Sequence, residues 1–250
     1  DQVDDLYYHK KELVLSGVNT DWLSQPVRTA VGQKHTLFLE GGTSALRYGL
    51  SLRYQTSPGV MKGSSRDRYS TELNLAYNLV RKFLFKNNLS VTKMNGDDSP
   101  YGSFADYVRM NPYYPIRDSS GAILQSVDQW TRSYSNGGTY LSPVLNPMYD
   151  ATLGGFSRSE YLELIDAFSA DWTIARGLRL KGQLSLNQVR STSDHFVSPF
   201  ANTYYSYSAD QLQKRGQYDY SNEVSTNVDG SLTLNFNRQL KKKGASFSIT

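Results

Sequence analysis

A few residues of this chain are of types that form catalytic, metal or phosphate sites. They are three histidines, one pair of aspartates and one pair of glycines. His9, His35 and His195 lie far apart and show no HExxH or similar ligand spacing. Asp97-Asp98 opens a segment rich in Gly, Asn and Ser, where carboxylates usually solvate a turn, although such oxygen ligands also bind calcium. Gly41-Gly42 suits a tight turn and lacks the context of a phosphate-binding loop. No serine, histidine and acid set can be assembled. We predict no catalytic residue, no metal site, no cofactor and no enzymatic activity.

Binding is the chemistry that remains, and residues 92–160 are the segment best suited to it. This stretch is rich in Tyr, Asn and Pro. Long connections that carry rigid aromatic and amide groups commonly hold binding sites. The alternative is that the same side chains pack the segment against itself or against a partner protein, and the sequence leaves both interpretations open. The candidate substrate-facing residues are Arg109, Asn111, Tyr113, Tyr114 and Trp130.

Strict alternation of apolar and polar residues predicts the elements that position these groups. In residues 46–54 every second residue is Leu or Tyr, and the residues between them are Arg, Gly or Ser. The pattern returns in residues 69–79 and 178–187. Because successive side chains of a strand point to opposite faces, each segment is a strand with one apolar and one polar face.

The polar faces of these strands form a second group of candidates. If the apolar faces contact lipid, the polar faces line a water-filled interior. Their side chains would then bind a domain that fills the interior and hydrate the wall, or they would contact substrate directly. The lumen-facing candidates are Arg47, Arg53, Glu72, Asn74, Arg179 and Lys181, with Asn78, Gln183 and Asn187 in the same phase.

The lengths of the connections favour a membrane barrel over a soluble sandwich. Eight strands are predicted at residues 34–40, 46–54, 69–79, 83–91, 161–174, 178–189, 218–237 and 245–250. Residues 41–45, 80–82, 175–177 and 238–244 form short connections, whereas residues 55–68, 92–160 and 190–217 form long ones. In an up-and-down antiparallel sheet the short turns then lie at one end and the long connections at the other, as in outer-membrane barrels. Tyr48 and Tyr77 near one end, and Tyr54 and Tyr69 near the other, fit aromatic girdles.

Composition excludes several classes of protein. Hydrophobic residues make up 38% of the 250, the mean hydropathy is -0.53, and no apolar run approaches the roughly 20 residues of a membrane helix. The net charge of +4 is spread along the chain, and its only cluster, residues 241–243, falls in a predicted turn. We therefore predict no nucleic-acid partner. The absence of cysteine removes disulfides and thiolate chemistry.

The ends of the sequence predict a piece of a larger barrel. Residues 245–250 still alternate at the end of the chain, and the opening contains no section large enough to fill a barrel. An open sheet edge in lipid leaves backbone groups without partners. Residues 218–236 keep one phase for roughly 60 Å at about 3.3 Å per residue, which is long for a minimal barrel.

A succession of short motifs resembles one family over nearly the whole chain. The motifs at the start of the chain are NTDW at 19–22, RTA at 28–30, QKHTLFL at 33–39, GGT at 41–43, RYGLSLRY at 47–54, GVMKGS at 59–64, DRYS at 67–70 and LNL at 73–75. In this succession the chain resembles the start of the barrel in SusC/RagA-type TonB-linked outer-membrane transporters. Residues 107–115 (YVRMNPYYP) resemble the first large outside loop of that family, and residues 172–182 resemble a later hairpin.

The resemblance implies an all-β fold, a 22-stranded antiparallel transmembrane barrel of which this chain covers roughly the first eight strands. Residues 1–33 would connect the plug to the barrel, and residues 34–250 would form the N-terminal part of the barrel, without the plug and the remaining strands. It also implies TonB-dependent import of oligosaccharides or peptides across the outer membrane of a Gram-negative, Bacteroidetes-like cell. The implied partners are outer-membrane lipid, a SusD-like surface lipoprotein as a lid, and the TonB complex through the missing N-terminal part.

Two other functions stay open at the level of sequence. A passive porin or a structural outer-membrane barrel would have the same strands without a plug or TonB coupling. A secreted β-sandwich that binds carbohydrate would bury the apolar faces against each other. The choice among the three depends on what covers the apolar faces.

Overall fold

The computed structural model describes residues 2–80, 82–133, 137–242 and 245–249. Two helices, α1 (Gln2–Leu15) and α2 (Phe104–Val108), and three 3-10 turns, Asp150–Thr152, Asn202–Tyr204 and Ala209–Lys214, accompany the strands. The strands are β1 (Gln33–Gly42), β2 (Leu46–Pro58), β3 (Ser65–Leu79), β4 (Phe83–Asp97), β5 (Ser126–Ser133), β6 (Thr139–Leu145), β7 (Phe156–Ala175), β8 (Leu178–Val197), β9 (Gln217–Phe236), β10 (Arg238–Lys242) and β11 (Ala245–Ile249).

Seven strands form one antiparallel sheet in the order β1-β2-β3-β4-β7-β8-β9. Every neighbouring pair is antiparallel, and each strand follows its neighbour along the chain apart from the excursion through β5 and β6. The predicted all-β, up-and-down antiparallel fold is confirmed. The sheet does not close on itself within this chain.

Registered pairing puts most apolar residues of the seven strands on one face, whereas Phe38, opposite Ser51, lies on the other. One cross-strand row runs from Leu39 to Leu50, Leu73 and Leu89. These rows carry mainly Leu, Val, Phe and Tyr, and 52% of Leu37 and 54% of Leu184 are exposed. A one-residue slip would move every apolar side chain to the polar face, so the alternation fixes this register. We call this surface the apolar face.

The strands extend further than the alternation predicted. Gln55–Pro58 continues β2 and pairs with the first residues of β3, with Pro58 opposite Ser65. The connection predicted to be long at residues 55–68 is therefore wrong, and only residues 59–64 link the two strands. Likewise β4 continues to Asp97 and β7 begins at Phe156. Most residues of these extensions are polar on both faces, so the alternation is lost there although the backbone ladder persists.

The last predicted turn and strand need correction. Residues 238–244 were expected to form only a turn, but β10 occupies most of this interval and pairs with β11 as a separate two-stranded sheet. At Asn237 the ladder of β9 ends, and the Asn237 N–H donates to the Gly177 carbonyl at 2.7 Å. Residues 243, 244 and 250, which belong to the predicted lysine cluster and last strand, lie outside the described residues.

Helix α1 and the β5–β6 hairpin were not predicted. Asp4 and Asp5 in the first turn of α1 favour the positive end of the helix dipole. Gly17 follows the helix with φ of +76°, a conformation that glycine adopts without strain. No helix in the described part of the chain has the length and apolar character needed to cross a membrane.

Candidate functional site

The long connections pack into a small unit with its own core, at one end of the sheet. Five buried residues form that core: Trp22, Tyr107, Tyr114, Val127 and Met148. They come from the segment after α1 and from residues 98–155, and Leu13 of α1 packs against them. We call this unit, formed by α1, residues 16–32, residues 98–155 and residues 198–202, the outer cluster.

Helix α1 is fixed to the outer cluster by a buried carboxylate. The side chain of Asp128 on β5 is 3% exposed, and it contacts Lys10 Nζ directly. His9 Nε2 lies 2.6 Å from the other oxygen of Asp128. Lys10 Nζ also donates to the Tyr114 hydroxyl at 2.8 Å and lies 4.4 Å from the centre of the Trp130 ring. A buried charge is stable only when paired in this way.

This arrangement changes the ionisation of both charged groups. Burial alone would raise the pKa of Asp128, but hydrogen bonds from Lys10 and His9 outweigh it and hold the pKa below its ordinary value. Burial would lower the pKa of Lys10, but its bonds to Asp128 and Tyr114 raise that pKa above the ordinary value. Both groups are therefore charged at neutral pH.

Trp22 joins the segment after α1 to the middle of residues 98–155. Its indole N–H donates to the Asn111 carbonyl at 3.0 Å, and Trp22 is 3% exposed. Nearby, the Thr20 N–H donates to the Pro112 carbonyl at 2.7 Å, and the Thr20 hydroxyl donates to the Tyr114 carbonyl at 2.8 Å. These bonds cross about 90 residues of sequence, so the outer cluster depends on both segments.

The predicted substrate-facing residues of the long connection divide between packing and exposure. Tyr114 is buried, Tyr113 packs edge-on against it at 4.7 Å, and Trp130 stacks beneath Lys10. Asn111 and Arg109 are exposed. The structure thus brings Tyr113, Tyr114 and Trp130 together around Lys10, while Arg109 lies apart from them beside a pocket.

That pocket has a volume of about 530 Å³ and lies between α2, the end of β6 and the outer ends of β7 and β8. Its lining is mainly apolar, with a smaller group of polar side chains. Volumes of this size are usual for small-molecule sites. The lining residues important for its chemistry are Met110, Val144, Phe156, Phe196, Arg109 and Asp150.

Among the charged side chains that the structure describes at the pocket, Arg109 has a partner of opposite charge and Asp150 does not. Arg109 Nη1 lies 3.4 Å from Asp106 Oδ1, so that pair is neutral. Asp150 Oδ1 accepts the Asn202 N–H at 2.8 Å, and no cationic side chain within the described residues pairs with it. Burial raises the pKa of Asp150, and the bond from Asn202 opposes this only in part.

The Asp97-Asp98 pair at the end of β4 is occupied by other side chains. Arg66 Nη2 contacts Asp98 Oδ1 at 2.6 Å, and the Ser157 hydroxyl donates to Asp98 Oδ2 at 2.9 Å. The Arg66 guanidinium, and then Ser157, hold the pKa of Asp98 below its ordinary value. Across the described residues, no three His, Cys, Asp or Glu side chains are grouped in a way that could hold a metal ion.

The six predicted lumen-facing residues occur on one face of the sheet, opposite the apolar face. Glu72 pairs with Ser51, Asn74 with Gly49 and Lys181 with Asp171, all on the polar side of the register. Arg47, Arg53 and Arg179 occupy the same phase of their strands. Ser70 and Thr92 lie in the same phase and are buried, and their hydroxyls are 3.3 Å apart.

The sequence and the sheet of this chain are similar to those of known proteins. No protein-family model matches the chain. A curated relative, the TonB-dependent receptor SusC of Bacteroides thetaiotaomicron, is 25% identical over 234 residues, which is 87% of this chain and 23% of SusC. Two structures of the RagAB peptide transporter and importer match with TM-scores of 0.63 and 0.66 at 19% and 18% identity, over 90% of this chain and 24% of theirs. The chain is similar in sequence to SusC and in fold to part of the RagAB structures.

The chain spans about a quarter of the length of these relatives. Its seven-stranded sheet corresponds to part of a barrel wall. The relatives are a receptor and a transporter rather than enzymes, which agrees with the prediction of no enzymatic activity.

Several residues of the candidate site were not predicted from the sequence. Asp128 and Asp150 look like ordinary loop carboxylates, and nothing near them in sequence indicates Lys10 or Asn202 as partners. Phe156 and Phe196 lie outside the predicted strands, in the connections predicted at residues 92–160 and 190–217, and the structure places them in β7 and β8.

Proposed function

We propose that this chain forms part of the barrel wall and outer loops of a TonB-dependent transporter in the bacterial outer membrane. The observation that carries the proposal is the two-faced sheet, whose apolar side chains are exposed on one face while the long connections pack into a single cluster at one end. A transmembrane barrel wall requires this combination. The similarity to SusC over 87% of the chain supports TonB coupling.

The exposed apolar face argues against the secreted sandwich. In a sandwich the inner faces bury each other. Here Leu39 is 50% exposed, Leu52 39% and Leu232 74%, and no second sheet covers them in the described part of the chain. The passive porin is disfavoured because the curated relative is a TonB-dependent receptor.

The proposed cargo is an oligosaccharide or a peptide, captured at the outer cluster beneath a SusD-like surface lipoprotein. The RagAB structures are of a peptide transporter, which supports this class of cargo. Arg109 and Asn111 are exposed where a ligand or a lid could contact them. In this proposal the lumen-facing residues are Arg47, Arg53, Glu72, Asn74, Arg179 and Lys181. Residues 1–33 connect the plug to the barrel, residues 34–250 form the N-terminal part of the barrel, and TonB engages a part of the protein beyond this chain.

The dependence of cargo uptake on the TonB complex tests the proposal. The full-length protein would be expressed in its host, and uptake of fluorescent peptides and oligosaccharides would be compared in cells with and without a functional TonB complex. We expect uptake of one cargo class that disappears without TonB. Uptake that is unchanged without TonB would show a passive porin, and a purified protein that stays monodisperse without detergent would show a sandwich.

A further inference from the structure

The pocket beside α2 has an apolar wall built from matched strand positions. Phe156 of β7 pairs in register with Phe196 of β8, and their ring centres are 5.8 Å apart at 38°. Met110 and Val144 complete the wall. A wall of this kind favours an apolar group that leaves water on binding.

The ring surfaces are poorly arranged for a sugar. Stacking on a pyranose needs an open aromatic face, but the Arg158 guanidinium lies 4.5 Å from the centre of the Phe156 ring and covers one face of it. The Phe196 ring is tilted against the other ring. The wall therefore suits an inserted side chain better than a flat sugar ring.

The pocket lining also carries a carboxylate, that of Asp150, which has no cationic partner among the described residues. Arg109 is already paired with Asp106, whereas Asp150 accepts only the Asn202 N–H. A carboxylate in partly apolar surroundings is stabilised by a cation brought by a ligand. An ammonium group is favoured there, and a free carboxylate is not.

We propose that this pocket binds the first residue of a peptide, with its apolar side chain against Phe156 and Phe196 and its terminal ammonium group at Asp150. The inference rests on the proposed function and narrows its cargo to peptides with a free amino end and an apolar first residue. The volume of about 530 Å³ accommodates one residue and the start of the next.

Binding to the full-length protein in detergent tests the inference with four probes: Leu-Gly-Gly, its N-acetylated form, Gly-Gly-Gly and maltotriose. By calorimetry, we expect Leu-Gly-Gly to bind at least tenfold more tightly than each of the other three. Equal affinity for the free and acetylated peptides, or tighter binding of maltotriose, would overturn the inference.

Substitutions locate the site. Asp150→Asn keeps an oxygen that can accept the Asn202 N–H, and it should weaken Leu-Gly-Gly at least tenfold while leaving the acetylated peptide unchanged. Its matched control is Asp210→Asn, an exposed position outside the pocket. Phe196→Ala should weaken binding more than Phe200→Ala, because Phe200 does not line the pocket. Equal effects within either pair would contradict the proposed placement.

A final variant separates loss of fold from loss of binding. Val197→Phe adds bulk inside the pocket without removing a contact, and it should abolish Leu-Gly-Gly binding while the tryptic digestion pattern stays that of the parent protein. Retained binding would place the peptide elsewhere. TonB-dependent uptake without peptide binding at this pocket would refute this inference alone, whereas uptake independent of TonB would refute the proposed function.

Discussion

Lys10 of α1 and Asp128 of β5 form an ion pair across 118 positions of sequence, and the Asp128 side chain is almost completely buried. The pair connects a helix at the start of the chain to a hairpin inside the longest connection. Its removal has a larger consequence than the loss of an exposed ion pair, because a buried charge left without a partner is costly.

Lys10→Met is expected to release α1 from the outer cluster. It leaves the buried Asp128 with His9 and the Gln129 N–H but without the Lys10 cation, so we expect a loss of about 3 kcal/mol in the local free energy of docking. Hydrogen exchange of the amides of α1 and β5 in the full-length protein measures this loss. Lys11→Met is the matched control, since Lys11 is exposed on the same helix. Equal exchange in the two variants would contradict the role of the pair.

The same pair predicts how docking depends on pH. The folded pKa of Asp128 is lowered, so its contribution is present above the unfolded pKa of about 3.9 and is lost as pH falls through the folded value. The folded pKa of Lys10 is raised, so its contribution is present below about 10.4 and is lost as pH rises through the folded value.

Docking of α1 should therefore be retained from about pH 5 to pH 9 and weaken below about pH 4. Spin labels at positions 11 and 131, both exposed, would report the distance between α1 and β5 by electron resonance. This chain contains no cysteine, so the two labelling sites are specific within it. A distance that already changes between pH 5 and pH 7 would contradict the assignment to Asp128.

Neighbouring residues of β3 test which face contacts lipid. Leu73 lies in a row of leucines on the apolar face, and Asn74 lies on the other face. Leu73→Arg should destabilise the reconstituted full-length barrel by about 2–4 kcal/mol if it lies near the middle of the bilayer, whereas Asn74→Arg should have little effect. Urea titration in bilayers measures both variants. The reverse order would mean that the faces are exchanged.

One polar pair interrupts the apolar face and gives a further prediction. Asn87 Nδ2 donates to Asp166 Oδ1 at 2.5 Å, and Asp166 pairs in register with Leu89 and Leu186. Asn87→Leu removes the donor and should destabilise the barrel by about 1–3 kcal/mol. Adding Asp166→Leu should restore the lost stability, because the unpaired acceptor is gone. Additive losses in a double-mutant cycle would show that the two side chains are not coupled.

The buried Tyr107 links the two sides of the peptide pocket. Its hydroxyl lies 3.0 Å from the Tyr101 carbonyl and 3.2 Å from the Pro147 carbonyl, and both acceptor residues line the pocket. Tyr107→Phe should cost about 1–2 kcal/mol of local stability, seen as faster hydrogen exchange in residues 101–110. Tyr7→Phe, at an exposed position of α1, should leave that exchange unchanged.

The sequence predicted the seven-stranded sheet well and the outer cluster poorly. Between Leu46 and Tyr54 the alternation is strict because one face is apolar, so strand, phase and faces could all be read. At Gln55–Pro58 both faces are polar, and the ladder continues without any signal in the residue types. The positions of the strand ends therefore depend on backbone pairing, which the alternation of residue types does not predict.

No local sequence pattern could predict the contacts within the outer cluster. Trp22 bonds to Asn111 and Asp150 bonds to Asn202, and in each pair strands of the sheet lie between the two residues in sequence. The sequence correctly directed attention to residues 107–115, and it left open whether Tyr113 and Tyr114 bind ligand or pack. Burial of Tyr114 follows from partners that were distant in sequence.

The bond from Trp22 to Asn111 and the bond from Asn202 to Asp150 hold residues 98–155 from both sides. Chimeras that transplant only this central stretch between relatives would separate it from both anchors. A functional graft must carry all three segments together, so these loops should diversify as one block of co-varying positions and not as independent units.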